Sequence, residues 1–387
     1  MHFTINKKSI EKVLRNVSIS SPQNPNIPIL GCVKVIAKNN KIIFMATDME
    51  EESSDSSPCE IMIEGQAAIP TRIMNEIVKN VNGDKNITFK TKDEDSNIMT
   101  VSTGKRNYEV ACLDPNDLQT SKAIESNNST IEIDSQELLS LISRVDFCAS
   151  KSAEKYNLNG VYFQTKTSDI DNSNYLISVS TDGHRLAMSE TQIESTAFQR
   201  GIIPLKHCHN LKKFLQNNLK DAEGKPIKCK LTITQNKTEL KINDDLYIRG
   251  RLVEATFPDY ERVIPKQNDK ILQIQINDLI TEISAINSMA DNKGIKMEVL
   301  ANQLILTANG SNGSSRTELS CSFTETEKFT ATYNPDFLKE TLSKIKEILN
   351  GNDNTAKLSL SDAQKPMLLE AAGNSSSKYI IMPMRAN

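Results

Sequence analysis

The chain has no tryptophan, and aromatic residues make up only 5% of it. Its cores must therefore be filled by Ile, Leu, Val and Met. Histidine is nearly as scarce, with only His2, His184, His207 and His209. The seven cysteines, Cys32, Cys59, Cys112, Cys148, Cys208, Cys229 and Cys321, are odd in number and scattered, with no Cys-x-x-Cys. They read as reduced core thiols of a cytosolic protein rather than as a disulfide framework. No GxxxxGK[ST] or GxGxxG stretch is present to cradle a phosphate. No apolar run approaches the roughly 20 residues that span a bilayer. Met1-His2-Phe3-Thr4-Ile5 starts directly as a strand, without a signal-peptide pattern. The expectation is a cytoplasmic protein with no membrane partner and no cofactor. An excess of positive charge is missing too. The net charge of −3 argues against a surface that binds nucleic acid all round, but leaves room for a basic stripe on one face.

What the chain does have is length and repetition. Its 387 residues predict two or three domains. Phe3-Thr4-Ile5 reads as a strand, and Ile10, Val13, Leu14 and Val17 recur at the spacing of an amphipathic helix. Ile131-Glu132-Ile133 followed by Leu138, Leu141, Ile142 and Val145 repeats that pattern 128 residues on, with Asp134 or Ser135 as the N-cap. Ile274-Gln275-Ile276 with Leu279, Ile283 and Ile286 is a third copy. A Gly opens a strand after each helix, at Gly31, Gly160 and Gly294. Thr47-Asp48 and Thr181-Asp182 each end a second strand, 23 residues before Pro70 and Pro204. A second helix follows near Pro70, Pro204 and Pro335, where a missing N–H is harmless. Further strands close each copy.

The predicted fold is α+β: three repeated domains, each of paired helices packed on antiparallel sheets, over residues 1–125, 126–266 and 267–387. Asp48–Ser57, acidic and Ser-rich, reads as a solvated loop or edge. Ser168–Asn174 reads as a polar loop tip.

Charge is unevenly placed. Lys7, Lys8, Lys12 and Arg15 face only Glu11 in the first helix, and Lys206, Lys212, Lys213 and Lys220 face no acid. The last helix carries Lys339, Lys344 and Lys346. Lys and Arg without interleaved aromatics suit contact with a phosphate backbone, which is independent of base sequence and sensitive to salt.

Thr181-Asp182-Gly183-His184-Arg185-Leu186 brings polar groups together at a hairpin, because Asp-Gly favours a tight primed turn. His184 could belong to an acid–base or nucleophilic set, but no other residues complete one. The corresponding positions of the other copies are Met49-Glu50 and Gly310-Ser311. His207-Cys208-His209 falls in a predicted helix, where i and i+2 diverge, so it reads as structural rather than as a metal site. Two further stretches stand out: Thr256 to Pro265, and the apolar Ile380-Ile381-Met382-Pro383-Met384-Arg385 close to the C-terminus. Met-rich apolar surface suits recognition of varied peptides.

Thr181–Ala187, Phe257-Pro258-Asp259-Tyr260 and Met382–Arg385, on a threefold repeat and with Ile27–Gly31 and Leu158-Asn159-Gly160, give the whole chain a specific likeness. It resembles the bacterial DNA sliding clamps, the β subunits of DNA polymerase III. The resemblance implies a replication processivity factor rather than an enzyme, with no metal or cofactor. Two chains would join head to tail and close a ring around double-stranded DNA. Lys12, Arg15, Arg72, Lys79, Lys151, Lys155, Tyr156, Lys206, Lys212 and Lys213 would face the DNA. A peptide-binding cleft would comprise Leu158, Thr181, Gly183, His184, Arg185, Leu186, Pro258, Arg262, Val263, Ile380, Met382, Pro383 and Met384. Its partners would be the polymerase III α subunit, the clamp loader and other proteins carrying clamp-binding peptides. Tyr108, Val110 and Ile286 would lie at the dimer interface. The chain departs from the clamp pattern at Asn24, Asn157 and Asn287. The alternatives are a monomeric, repeat-built DNA-binding scaffold and, third, a hydrolase using His184.

Overall fold

The computed structural model describes residues 1–92, 97–121, 124, 130–194, 200–221, 223–289, 294–311, 313–349 and 354–384. The first repeat runs β1 (His2–Asn6), α1 (Lys7–Val17), β2 (Cys32–Lys38), β3 (Lys41–Thr47), β4 (Glu51–Pro58), β5 (Glu60–Ile63), β6 (Gly65–Pro70), α2 (Thr71–Lys79), β7 (Asn86–Thr91), β8 (Ile98–Thr103) and β9 (Arg106–Ala111). The second runs β10 (Thr130–Asp134), α3 (Ser135–Ser143), β11 (Gly160–Thr167), β12 (Asn174–Thr181), β13 (Arg185–Ile193), β14 (Gly201–Pro204), α4 (Leu205–Asn217), β15 (Lys228–Ile233), β16 (Lys237–Lys241) and β17 (Tyr247–Arg251). The third runs β18 (Lys270–Gln275), α5 (Ile276–Asn287), β19 (Ile295–Leu300), β20 (Gln303–Gly310), β21 (Gly313–Ser320), β22 (Ser322–Phe323), β23 (Phe329–Tyr333), α6 (Pro335–Leu349), β24 (Thr355–Leu360), β25 (Met367–Ala371) and β26 (Asn374–Ile381).

The helix starts show the repeat atom by atom. Asn6 Oδ1 accepts from the Lys8 amide at 2.9 Å, and Asp134 Oδ1 accepts from the Gln136 amide at 2.8 Å. Each side chain satisfies an N–H that the first helical turn leaves unpaired. Of the two expected N-caps, Asp134 is the one used.

The chain forms two compact units that do not follow the repeats: residues 1–139 with 193–252, and residues 140–192 with 253–387. In the first unit, one sheet has the order β5-β1-β7-β8-β9 and another the order β10-β15-β16-β17-β4-β3-β2-β6. The second sheet is continuous across two repeats because β17 pairs antiparallel with β4. In the second unit, β11-β12-β13-β26-β25-β24-β18-β22 lie side by side, with β13 joined to β26. A smaller sheet there has the order β21-β20-β19-β23.

Ile10, Val13, Leu14 and Val17 of α1 pack with Val33, Val35, Ile42 and Phe44 in the core of the first unit. The cores are mainly aliphatic, as the composition demands, and the few aromatics are concentrated inside. Phe3 and Phe89 stack with centroids 4.8 Å apart, and Phe163, Phe214, Tyr333 and Tyr379 are almost fully buried. All seven cysteines are free thiols. Burial pushes Cys32, Cys59 and Cys112 up to about 11, so they stay protonated and unreactive near neutral pH.

One expectation is overturned. Asp48–Ser57 is not a solvated loop or edge. It supplies β4, which lies inside its sheet between β3 and β17, and Glu51, Glu52, Ser53, Ser54 and Asp55 are buried. A strand this polar survives burial because its charged groups have partners. Glu51 accepts from Asn210 Nδ2 at 2.6 Å and lies 3.2 Å from His207 Nδ1. Glu52 accepts from the Tyr247 hydroxyl at 2.9 Å and from Arg249 at 3.3 Å. Asp55 accepts from Asn16 Nδ2 at 2.8 Å. Alternation of apolar residues could not reveal this strand, because its partners are polar and most lie far along the chain.

Candidate functional site

The Thr181–Arg185 hairpin is built from its own side chains. Gly183 holds φ +92°, the left-handed region that glycine enters freely. The Thr181 hydroxyl accepts from the Gly183 amide at 3.1 Å and donates to the Arg185 carbonyl at 2.6 Å. Asp182 Oδ1 accepts from the amides of His184 and Arg185 at 2.9 and 3.0 Å. Thr181 and Asp182 are thus committed to shaping the turn. His184 in the same turn is exposed.

Arg185 lies lower. Its side chain is only 10% exposed. Nε donates to Asp182 at 3.0 Å, NH1 pairs with Glu340 of α6, and NH2 donates to the Phe147 carbonyl at 3.0 Å. The guanidinium also sits 4.3 Å from the Phe337 ring centroid. Arg185 is therefore a clip between the hairpin and α6, and its charge is turned inward.

The C-terminal segment runs beside the hairpin. Leu186 pairs with Ile380 and Arg185 with Ile381 across β13 and β26. The Met382 amide continues the ladder to the His184 carbonyl at 2.9 Å, and the Met384 amide reaches the Thr332 carbonyl at 2.7 Å. The apolar tail is anchored through residue 384. Met382 is 38% exposed, whereas Leu186 and Ile380 are buried. Arg385 lies outside the described residues.

Lys155 reaches the same hairpin from a 3-10 segment, Ala153–Leu158, which ends on Leu158. Leu158 is half-buried. Lys155 Nζ donates to the Asp182 carbonyl at 2.9 Å. Lys155, grouped from the sequence with the DNA-facing residues, is thus bonded to the Thr181–Arg185 hairpin. Lys151 and Tyr156 beside it are exposed.

Phe257 and Tyr260 hold their segment to β11. Phe257 stacks on Tyr162 at 4.8 Å, and Gln164 Nε2 donates to the Tyr260 hydroxyl at 2.5 Å. This leaves Pro258, Arg262 and Val263 outside, with Arg262 paired to Asp259 at 2.7 Å. Asp259, Arg262, Val263, Pro265 and Pro366 line a groove of about 660 Å³. Hairpin and tail are thus joined by direct contacts, and Lys155 is bonded to the hairpin. Arg262 and Val263 are displayed along this adjoining groove.

The first unit carries the basic helices. Lys12 and Arg15 of α1, Arg72 and Lys79 of α2, and Lys213 of α4 are exposed; Lys212 is half-buried. Lys206 pairs with Asp48. Helices α1 and α4 are tied by Asn217 Nδ2, which donates to Asn16 Oδ1 at 3.2 Å. The sequence led us to expect a basic bias on α1, on α4 and on the last helix, α6. It does not extend to the second unit: α5 has Asp278 and Glu282 and no basic residue, while α6 balances three lysines with three acids.

The three interface residues differ in placement. Val110 on β9 and Ile286 on α5 are buried in the cores of their own units, and Tyr108 is half-buried. What the two units leave open are sheet edges: β9 ends one sheet, and β21 ends another with alternately exposed residues. Asn287 donates to Asp336 at 3.4 Å. Sequence patterns pointed to side chains here, but the edges emerge only from strand order.

His207, expected from its helix to be structural, is almost fully buried. A Cβ on Gly250 would come within 2.6 Å of its ring, so that strand position must be glycine. Among the described residues, no cluster of three or more His, Cys, Asp or Glu could hold a metal ion.

The chain matches the N-terminal domain of the DNA polymerase III beta subunit over residues 1–122, its central domain over 132–259 and its C-terminal domain over 261–385. It is 28% identical to the beta sliding clamp of Pseudomonas putida and 28% identical to that of Vibrio cholerae, with 100% of both chains covered in each case. Among solved structures, the sliding clamp of Caulobacter crescentus superposes over 100% of both chains, with a TM-score of 0.89 and 23% identity. A sliding clamp from Bartonella birtlesii bound to griselimycin does so with a TM-score of 0.88 and 25% identity. Fold and domain matches define a sliding clamp of DNA replication. The chain belongs to the DNA polymerase III beta-subunit family.

Proposed function

We propose that two copies of this chain close head to tail into a ring that encircles duplex DNA in the cytoplasm and tethers polymerase III to it, acting as an accessory subunit and not as a catalyst. The observation that carries this reading is the excess of Lys and Arg over acids on α1, α2 and α4 of a net acidic chain. Such a face gives mobile, sequence-independent phosphate contacts, and closure of the ring provides retention. The open edges β9 and β21 are the strands through which copies would pair. Residues 1–125, 126–266 and 267–387 are the three clamp domains.

The hairpin, the tail and the exposed residues Pro258, Arg262 and Val263 form the cleft for extended peptides of the polymerase α subunit, the clamp loader and other partners. We assign the surface that takes griselimycin in the Bartonella clamp to the same region here. Two apolar anchors are worth about 1.5–3 kcal/mol each. Association costs offset much of this, which leaves binding weak enough for partners to exchange.

Sedimentation should give a mass near twice 43.1 kDa. The protein should stay on nicked circular DNA and leave once the circle is linearised. Retention on linear DNA at low salt, with a single-chain mass, supports the alternative of a monomeric scaffold. The burial of Val110 and Ile286 favours that alternative, because it limits the apolar side-chain surface at those two positions.

A further inference from the structure

The junction between the second and third repeats has a counterpart between the first and second, built to the same plan. Thr47 donates to the Glu51 carbonyl at 2.6 Å and accepts from the Met49 amide at 3.0 Å. Asp48 Oδ1 accepts from the amides of Glu50 and Glu51 at 3.0 and 2.7 Å. Met49 takes the left-handed conformation, φ +77°, that Gly183 takes in the other turn. The neighbouring strand enters in the same register. Glu51 pairs with Gly250 and Glu52 with Arg249, where Arg185 pairs with Ile381 and Leu186 with Ile380. The Arg251 amide donates to the Glu50 carbonyl at 3.1 Å, as the Met382 amide does to His184. Backbone geometry alone therefore provides two hairpin-and-strand sites in each chain.

The side chains differ at one decisive place. Where Leu186 faces Ile380, Glu52 faces Arg249. Arg249 also pairs with Glu239, and its guanidinium lies 3.8 Å from the Tyr247 ring centroid. The connecting segment is fastened over this pair, since the Ser121 amide donates to Glu52 and the Ser121 carbonyl accepts from Arg249. The cavity that remains is about 70 Å³, well below the roughly 300 Å³ at which ligand pockets begin. An apolar peptide anchor laid there would gain no apolar floor, and it would strip partners from a buried ion pair.

We propose that the Glu52–Arg249 pair, with Ser121 fastened across it, is the specificity determinant that closes the first junction to peptides and leaves one cleft per chain. This inference rests on the peptide-cleft reading of the second junction. The two junctions each carry a methionine methyl reporter, Met49 and Met382. The test titrates the full-length protein, methyl-labelled on methionine, with a peptide copied from the clamp-binding segment of a polymerase III α subunit. Met382 and Met384 should shift saturably, and Met49 should not move. A saturable shift of Met49 at similar peptide concentration would overturn the proposal. If no methyl moves, the cleft reading itself fails instead.

The double variant Glu52→Leu/Arg249→Ile rebuilds the apolar floor of the second junction in the first. Its peptide stoichiometry by calorimetry should rise from one to two per chain. A folded double variant that still binds one peptide would remove the pair as the determinant. If the variant does not fold, the methyl titration of the native chain decides alone.

Discussion

Strands β4 and β13 hold the same place in successive repeats, follow the same Thr-Asp turn and pair in the same register with the last strand of the next repeat. One begins Glu-Glu-Ser-Ser-Asp and the other Arg-Leu-Ala-Met-Ser. Both are buried. The difference teaches that register here is set by the turn and the ladder, while the chemistry of the floor remains open to choice. An apolar floor stabilises by transfer from water. A charged floor contributes little net stability but tolerates no missing partner.

The sharpest way to break the comparison is to remove one partner on the polar side. Arg249→Leu leaves Glu52 and Glu239 buried without their cation and should cost about 3–5 kcal/mol in urea denaturation. The double variant Glu52→Leu/Arg249→Ile should cost much less. Equal losses would mean that the pair is not coupled. On the apolar side, Leu186→Ala should cost about 2–4 kcal/mol through cavity formation and should weaken peptide binding as well. A loss of stability without a loss of binding would separate this floor from the cleft.

A smaller effect should appear with pH. Burial raises Asp55 above its ordinary value of 3.8. The folded state then holds that proton more tightly than the unfolded one, so the native chain loses stability as pH rises from 3.8 through the raised value. Asp55→Asn should therefore gain on the native chain across that window and level off above it, measured by thermal melting against pH. An advantage that shrinks with rising pH would contradict the assignment. Smallest of all, Met49→Gly should stabilise by roughly 0.5–1 kcal/mol through relief of positive φ, and Gly183→Ala should destabilise by a similar amount.

Much of this was legible in the sequence. Helix spacing, the glycine-led strands and the paired Thr-Asp turns are local signals, and each appears where its pattern placed it. His207, read from its helix as structural, is almost fully buried. Three features were not legible, for a common reason. The burial of β4 depends on Tyr247 and Arg249, nearly two hundred residues away along the chain. The inward turn of Arg185 depends on Glu340 and Phe337 of the third repeat. The binding of Lys155 to the hairpin depends on a carbonyl 27 residues on. No window of sequence contains both halves of these contacts.

The join between β4 and β17 also has a consequence for synthesis. A ribosome delivers β4 long before Tyr247 exists, so for most of translation the strand is an unguarded sheet edge. A Val- or Ile-rich strand in that position would invite pairing with other nascent chains. Glutamate, aspartate and serine keep it hydrated until its proper neighbour arrives, and only then are they enclosed. We expect arrested chains ending before residue 247 to be cut by protease within residues 51–58, and chains extending past residue 251 to resist. Early protection of that strand would show that something other than β17 covers it.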